Sequence, residues 1–250
     1  MSDWTALTTL LDQAPGRYSV CVGTATGVPI YDYAGKVVRS AASLIKVPLA
    51  LAIYDTLPHR LDEPVTLREG DRVAGEGSFD GAPPGTVRTV RELIGHALRE
   101  SDNTAANLLI ERIGFEAVNH WLVARRLQTR LQRKFMDFDA LHAGRDNLTT
   151  AADMCVLLLA LLQPRYADLL AMLRQAVGTG KLEAGLPPGT FIAHKVGDLP
   201  GVEHDAGIIF AANGPYLVAV LAVELQDAAA GRHTIAEVSR LVWERMTGVH

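Results

Sequence analysis

Cysteine is nearly absent from this 250-residue chain, and the two that occur, Cys21 and Cys155, stand in no C-x-x-C or Cys/His spacing. A disulfide-stapled scaffold has no basis here. Both cysteines lie in apolar runs and read as buried free thiols. Basic charge is not in excess either: 24 Lys+Arg against 28 Asp+Glu leave a net charge of -4, and no basic run alternates with aromatics. That argues against a nucleic-acid surface. No apolar run is long enough to cross a bilayer as a helix. The first thirteen residues carry Asp3 and Asp12 and lack a basic start followed by an apolar core, so they do not read as a secretory signal. The expectation is a cytoplasmic chain unless a leader has been removed. No feature fixes an oligomeric state.

What is present is a 48% apolar, 21% charged composition, which suits a globular protein with a sizeable core. Arg17 to Thr24 alternates, Gly27 follows, and Pro29 to Tyr33 continues, a strand–turn–strand signal. Lys36 to Arg39 is a third short strand or a lead-in to the apolar run Leu44 to Leu57, which reads as a buried helix bent in its second turn by Pro48. Leu61 to Gly85 is rich in Gly, Pro and charge and reads as loop. Helices are expected at Thr89 to Arg99, where Thr89 and Glu92 form a capping box, at Asn103 to Ile113 before a C-terminal Gly114, and at Phe115 to Arg126. Leu127 to Asn147 is a long charged loop, and Thr149 to Leu162 and Arg165 to Val177 are two more helices. The tail returns to strands at Thr190 to Val196, Asp205 to Ala211 and Tyr216 to Leu225, with Asn213-Gly214 as a hairpin turn. A loop at Ala228-Ala229-Ala230-Gly231 then leads to a helix at Thr234 to Met246. Strands at both ends with helices between them imply an α/β (α+β) fold: one mixed, antiparallel sheet built from both termini, plus an inserted helical lobe. We expect a single catalytic domain, 1–250, with the α/β part at 1–57 and 186–250 and the lobe at 58–185.

Ser43-Leu44-Ile45-Lys46 opens the first buried helix and sets a hydroxyl and an amine on one face. A serine is a weak nucleophile until a base takes its proton, and a lysine whose pKa is lowered by burial can be that base. Two further elements follow in order: Ser101-Asp102-Asn103 in a break between helices, and Lys195-Val196-Gly197 at a strand end. Taken singly, each has an ordinary explanation, namely a helix cap, a snorkelling lysine or a strand-end charge. Their joint order and context are specific.

Together these elements resemble the serine penicillin-recognising enzymes, most closely the class A β-lactamases. The resemblance covers essentially the whole chain and includes the second-motif helix Ser101-Asp102-Asn103-Thr104-Ala105-Ala106-Asn107-Leu108-Leu109. It implies a β-lactamase/transpeptidase-like fold with no cofactor, no metal, and a small-molecule or peptide substrate. It also implies a periplasmic or extracellular setting. Carried over by motif, Ser43 is the acylated nucleophile, Lys46 its base or relay, and Ser101 the proton donor to the leaving nitrogen. Asn103 holds the substrate amide, and Lys195 supports Ser101 and attracts an anionic substrate. The backbone N–H groups of Ser43 and Asp198 form the oxyanion hole, and Gly197 lets the substrate lie along the strand.

Two departures stand out. Aligning Arg133 with the family's loop arginine puts Phe135 where the water-activating glutamate belongs. Asp137, Asp139 and His142 are the substitutes within reach in sequence, with an ordinary solvated loop as the favoured reading, and Arg133 is expected to pair with a loop aspartate. Val196 takes the place of a hydroxyl residue that helps bind the substrate carboxylate, a contact worth about 1.5–3 kcal/mol. His204 and Asp205, just past the third motif, form a base or clamp or simply tie a hairpin together, the plainer reading; a metal site from His194, His204 and Asp205 lacks any recognised spacing. The leading expectation is a serine hydrolase acylated on Ser43 and acting on β-lactams or related amides and esters. The alternatives are a D-Ala-D-Ala-type peptidase or esterase relative, and a non-catalytic binding module.

Overall fold

A computed structural model describes residues 4–75, 77–177 and 180–248. In chain order the first elements are α1 (Thr5–Gln13), β1 (Arg17–Thr24), β2 (Pro29–Tyr33), β3 (Arg39–Ser40), and a 3-10 turn (Ala42–Ile45) running into α2 (Lys46–Thr56). Next come β4 (Pro64–Thr66), β5 (Val87–Thr89), α3 (Val90–Arg99), α4 (Asn103–Ile113) and α5 (Phe115–Ala124). The chain continues through α6 (Phe138–His142), β6 (Leu148–Thr149), α7 (Ala151–Leu161) and α8 (Ala167–Leu173). It closes with β7 (Phe191–Leu199), β8 (Val202–Ala211), β9 (Gly214–Val223) and α9 (Ala228–Thr247).

The five-stranded sheet has the order β2-β1-β9-β8-β7, so strands from both termini interlock at β1 and β9. Every pairing within it is antiparallel. β9 is central, and its residues are apolar on both faces, as a strand covered on both sides must be. Leu217, Ala219 and Leu221 face the core shared with the helical lobe. Tyr216, Val218, Val220 and Ala222 face a second core built with α1 and α9. The period of two decides which residue enters which core.

Several expectations are corrected. Pro48 is the third residue of α2, where its missing N–H would have had no intrahelical partner, so it costs no helical hydrogen bond. Lys46 to Ile53 are all buried, and the helix is enclosed on every side. The middle of the chain carries short strands that its composition did not suggest: β4 pairs with β5, and β3 with β6. Each is only two or three residues long, too short for a period-two signal. The Ala228–Gly231 tract is the first turn of α9, not a loop; the Asp227 carboxylate accepts the Ala229 N–H and caps it. The Thr89/Glu92 capping box and the Gly114 stop, at positive φ, occur where the sequence places them.

Candidate active site

The chain reaches Ser43 through Ala42, a non-glycine residue at φ 44°, and the 3-10 turn delivers Lys46 one turn below it. Lys46 is 1% exposed. Its Nζ lies 3.0 Å from Ser43 Oγ, 2.6 Å from the Ser101 carbonyl, 3.2 Å from Ser101 Oγ and 2.8 Å from Asn103 Oδ1. Burial, and then the charge of Lys195, hold its pKa well below the usual lysine value. A neutral amine has two N–H donors and one lone pair. In that form the amine can give its N–H bonds to the Ser101 carbonyl and Asn103 Oδ1 and turn its lone pair to the Ser43 hydroxyl. That is the geometry of a general base on a nucleophile.

Ser101 sits between α3 and α4 at φ 58°, a left-handed conformation that a serine adopts only when its surroundings hold it there. They do. Asp102 caps α4 by accepting the Ala105 N–H, while its other oxygen accepts the Phe79 and Asp80 N–H groups. Asp102 thus fixes the turn, and Ser101 and Asn103 on either side of it reach Lys46. From the opposite wall Lys195 Nζ donates to Ser101 Oγ at 2.9 Å and to the Val196 carbonyl at 2.9 Å. Burial lowers the Lys195 pKa to about 8. Gly197 permits the closest approach of β7 to the nucleophile: a Cβ there would stand 3.1 Å from both the Ser43 nitrogen and Ala42 Cβ. Ser43, Ser101, Asn103, Lys195, Val196 and Asp198 share one cleft of about 410 Å3 between sheet and helical lobe.

Phe135 lies on the other side of Lys46, with its ring centroid 4.1 Å from Nζ. Its backbone is clamped at two points: Asn107 Oδ1 accepts the Phe135 N–H at 2.8 Å, and Asn107 Nδ2 donates to the Phe135 carbonyl at 3.1 Å. Asn107 is a site-shaping residue that the motif reading passed over, although it lies one turn after Asn103 on the same face of α4. The loop's shape is fixed further by Arg133, which pairs with Asp146 at 2.9 Å as expected.

The remaining candidates fall elsewhere. Asp137 caps α6 through the Ala140 N–H and lines a separate depression, and Asp139 and His142 are exposed on α6. None of the three lines the catalytic cleft. His204 and Asp205 do not act on each other. His204 Nε2 donates to the Ser40 carbonyl at 2.8 Å, and burial lowers its pKa to about 4, so the ring is neutral. Asp205 accepts from His194 Nδ1 at 2.9 Å and from the Leu182 N–H. Asp205 thus ties the β7–β8 hairpin through His194, whereas His204 ties β8 to β3 and not to its own hairpin. The potential metal ligands that do gather are Glu183, His194 and Asp205, all within 4.8 Å of one another, so His204 is not among them.

A family model described as the β-lactamase enzyme family matches residues 4–246. The chain belongs to the β-lactamase enzyme family. Beta-lactamase VEB-1 of Pseudomonas aeruginosa is 22% identical over 229 residues, covering 80% of this chain and 76% of its own length. A β-lactamase of Sphaerobacter thermophilus superposes with a TM-score of 0.89 at 26% identity, over 100% of this chain and 99% of its own. An ancestral class A β-lactamase gives 0.84 at 34% identity over 96% and 98%. A mutant of PBP-A in acyl-enzyme complex with penicillin-G gives 0.87 at 26% identity over 98% and 96%. The fold is that of class A β-lactamases, and the protein is a serine hydrolase of the β-lactamase type.

Proposed function

We propose that this hydrolase opens β-lactam or related acyl bonds by attack of Ser43, and that release of the acyl group is its slow step. Lys46 takes the Ser43 proton. Ser101, held by Lys195, hands a proton to the leaving nitrogen. The N–H groups of Ser43 and Asp198 receive the oxyanion where β7 passes closest. Asn103 offers its Nδ2 to the substrate, since its Oδ1 already faces Lys46.

The observation that carries the second half is the Phe135 ring over Lys46. Deacylation needs a base to activate water beside the ester. A phenyl ring cannot accept a proton, and it helps keep water from the amine it covers. Among the described residues the carboxylates lining the cleft are Glu100 and Asp198. The acyl-enzyme complex of a PBP-A mutant with penicillin-G supports the acylation half of this reading. The test is intact-protein mass spectrometry during incubation with benzylpenicillin. A penicilloyl adduct on Ser43 that persists for minutes or longer is expected. Rapid turnover with no accumulating adduct removes the slow step, and neither adduct nor product removes the acylation.

A further inference from the structure

We propose that the cavity between the β1–β2 edge of the sheet and α7 is a second ligand site, one that takes apolar α,β-unsaturated carbonyl compounds and fixes them on Cys21. The cavity has a volume of about 680 Å3 and shares no lining residue with the catalytic cleft. Its floor is Cys21 and Gly23 of β1 with Leu217 of β9, and its wall is Ala152, Cys155 and Leu159 of α7. Cys21 and Leu217 belong to the core on the helical-lobe side, and residues 21 and 23 share that face of the pleat. Residues 152, 155 and 159 recur at helical spacing, so they form one stripe against the strands. Small residues make the room: a Cβ on Gly27, at φ 84°, would stand 2.8 Å from Leu159 Cδ2. Val37 and Val156 at the mouth are 46% and 50% exposed, so the cavity opens to solvent.

Two thiols meet across this cavity. Cys155 Sγ donates to the Cys21 carbonyl at 3.3 Å, and both cysteines are free. A thiol has one proton to give, and that of Cys155 can turn to the Cys21 sulfur when Cys21 ionises. This contact holds the Cys21 pKa below the usual thiol value, against burial and the charge of Asp32, while Cys155 is pushed up. Cys21 is therefore the nucleophile and Cys155 the donor that supports its thiolate. The step needs no co-reactant. The Cys21 sulfur attacks the β-carbon of the ligand, an S–C bond forms as the C=C π bond breaks, and the thiol proton ends on the α-carbon. Selection lies in the walls: they are mostly apolar, and an apolar ligand body gains by leaving water for them.

Intact-protein mass spectrometry follows labelling by N-cyclohexylmaleimide and by N-(2-hydroxyethyl)maleimide, each rate divided by that reagent's rate with glutathione. A single adduct, mapped to Cys21 by peptide mass spectrometry, is expected, with the cyclohexyl reagent favoured by about tenfold. In urea both cysteines should be labelled and the preference should vanish. Cys21→Ser should abolish labelling of the folded protein, and Cys155→Ser should slow it by about fivefold. Ala152→Phe fills the cavity with both thiols in place and should slow the cyclohexyl reagent by about tenfold, with circular dichroism to show that the variant is folded. If that variant does not fold, the ratio of the two reagents on the parent protein decides. No labelling of the folded chain, labelling at Cys155 alone, or equal normalised rates for the two reagents overturns the proposal.

Discussion

The two sides of Ser43 are built from opposite materials. On one side, Lys46, Ser101, Asn103 and Lys195 form a closed hydrogen-bond network, each held by a helix start, a strained turn or the edge of a sheet. On the other, a loop presents the face of a buried phenyl ring, with its backbone clamped by Asn107 and its side chain packed in the core. The polar side is suited to forming an acyl-enzyme on the proposed reading, because the Ser43 and Ser101 hydroxyls and the Lys46 and Lys195 amines are held in place together. The apolar side contributes shape and dryness. It helps bury Lys46, whose ammonium form is disfavoured there. One residue therefore bears on both half-reactions: Phe135 shields Lys46 from water and places no base of its own beside it.

The severest way to break this contrast is to remove the polar side. Ser43→Ala should abolish covalent labelling by benzylpenicillin. Lys46→Met should cut the acylation rate by at least about a thousandfold, since members of such a unit fail together. Stopped-flow acylation read by intact mass checks both; labelling of Ser43→Ala at the parental rate would place the nucleophile elsewhere.

Changing the apolar side should have a smaller and opposite effect. Phe135→Glu sets a carboxylate beside Lys46 on a backbone already clamped by Asn107, and deacylation should quicken by about a hundredfold, the ordinary range for a positioned general base. Acylation should slow several-fold in the same variant, because a carboxylate near Lys46 favours its ammonium form. Adding Asn107→Leu should cancel the gain by releasing the clamp. Hydrolysis of the isolated acyl-enzyme, followed by mass spectrometry, separates the two steps. Faster deacylation that survives loss of Asn107 would mean the loop's position does not matter.

The same contrast explains what could be read from the sequence. The polar side was legible because each of its residues must stand at a fixed offset from another. Ser43 and Lys46 are one helical turn apart, and Ser101 and Asn103 flank a capping aspartate. The interlocking sheet was legible because β9 and its neighbours alternate or saturate with apolar residues. Reading failed where pairing is short or a partner is remote. β4, β5 and β6 are set by tertiary pairing of two or three residues, and α9 starts at Ala228, less than two turns before the expected Thr234, because Asp227 caps an alanine run. The Phe135 contact was visible only as a missing glutamate. That the ring covers Lys46 depends on Asn107, 28 positions away in sequence. Asp137, Asp139 and His142 had the right chemistry in the right loop, yet α6 turns them away from the cleft.

A moderate effect should come from pH, with activity and stability moving in opposite directions. Lys195 must carry its proton to hold Ser101 as a donor, so kcat/KM for acylation should fall as pH rises through about 8, up to about tenfold per unit. Its stability contribution has the reverse sign. Burial depresses the folded pKa to about 8 from 10.5, so between those values the unfolded chain binds a proton that the folded one does not. Stability therefore rises with pH across that window and is reduced below it. Lys195→Met should raise unfolding free energy at pH 7 by about 1–3 kcal/mol and flatten this dependence, an instance of active-site chemistry held at the expense of stability. Urea unfolding of both proteins at pH 7 and pH 9.5 measures it. A parent curve with the same slope as the variant's would show that Lys195 is not a buried cation in the folded state.

The smallest expected effect lies at Val196. Val196→Thr is nearly isosteric and adds the one polar atom that a carboxylate-bearing substrate lacks here, a contact worth about 1.5–3 kcal/mol when nothing opposes it. Lys195 already brings its charge to the same cleft. Val196→Thr should therefore raise kcat/KM for acylation by benzylpenicillin by no more than about tenfold. Acylation rates of both proteins, followed by intact mass, measure it. An unchanged rate would mean that a hydroxyl at position 196 does not meet the substrate carboxylate, and that Lys195 alone sets the affinity of this cleft for an anion.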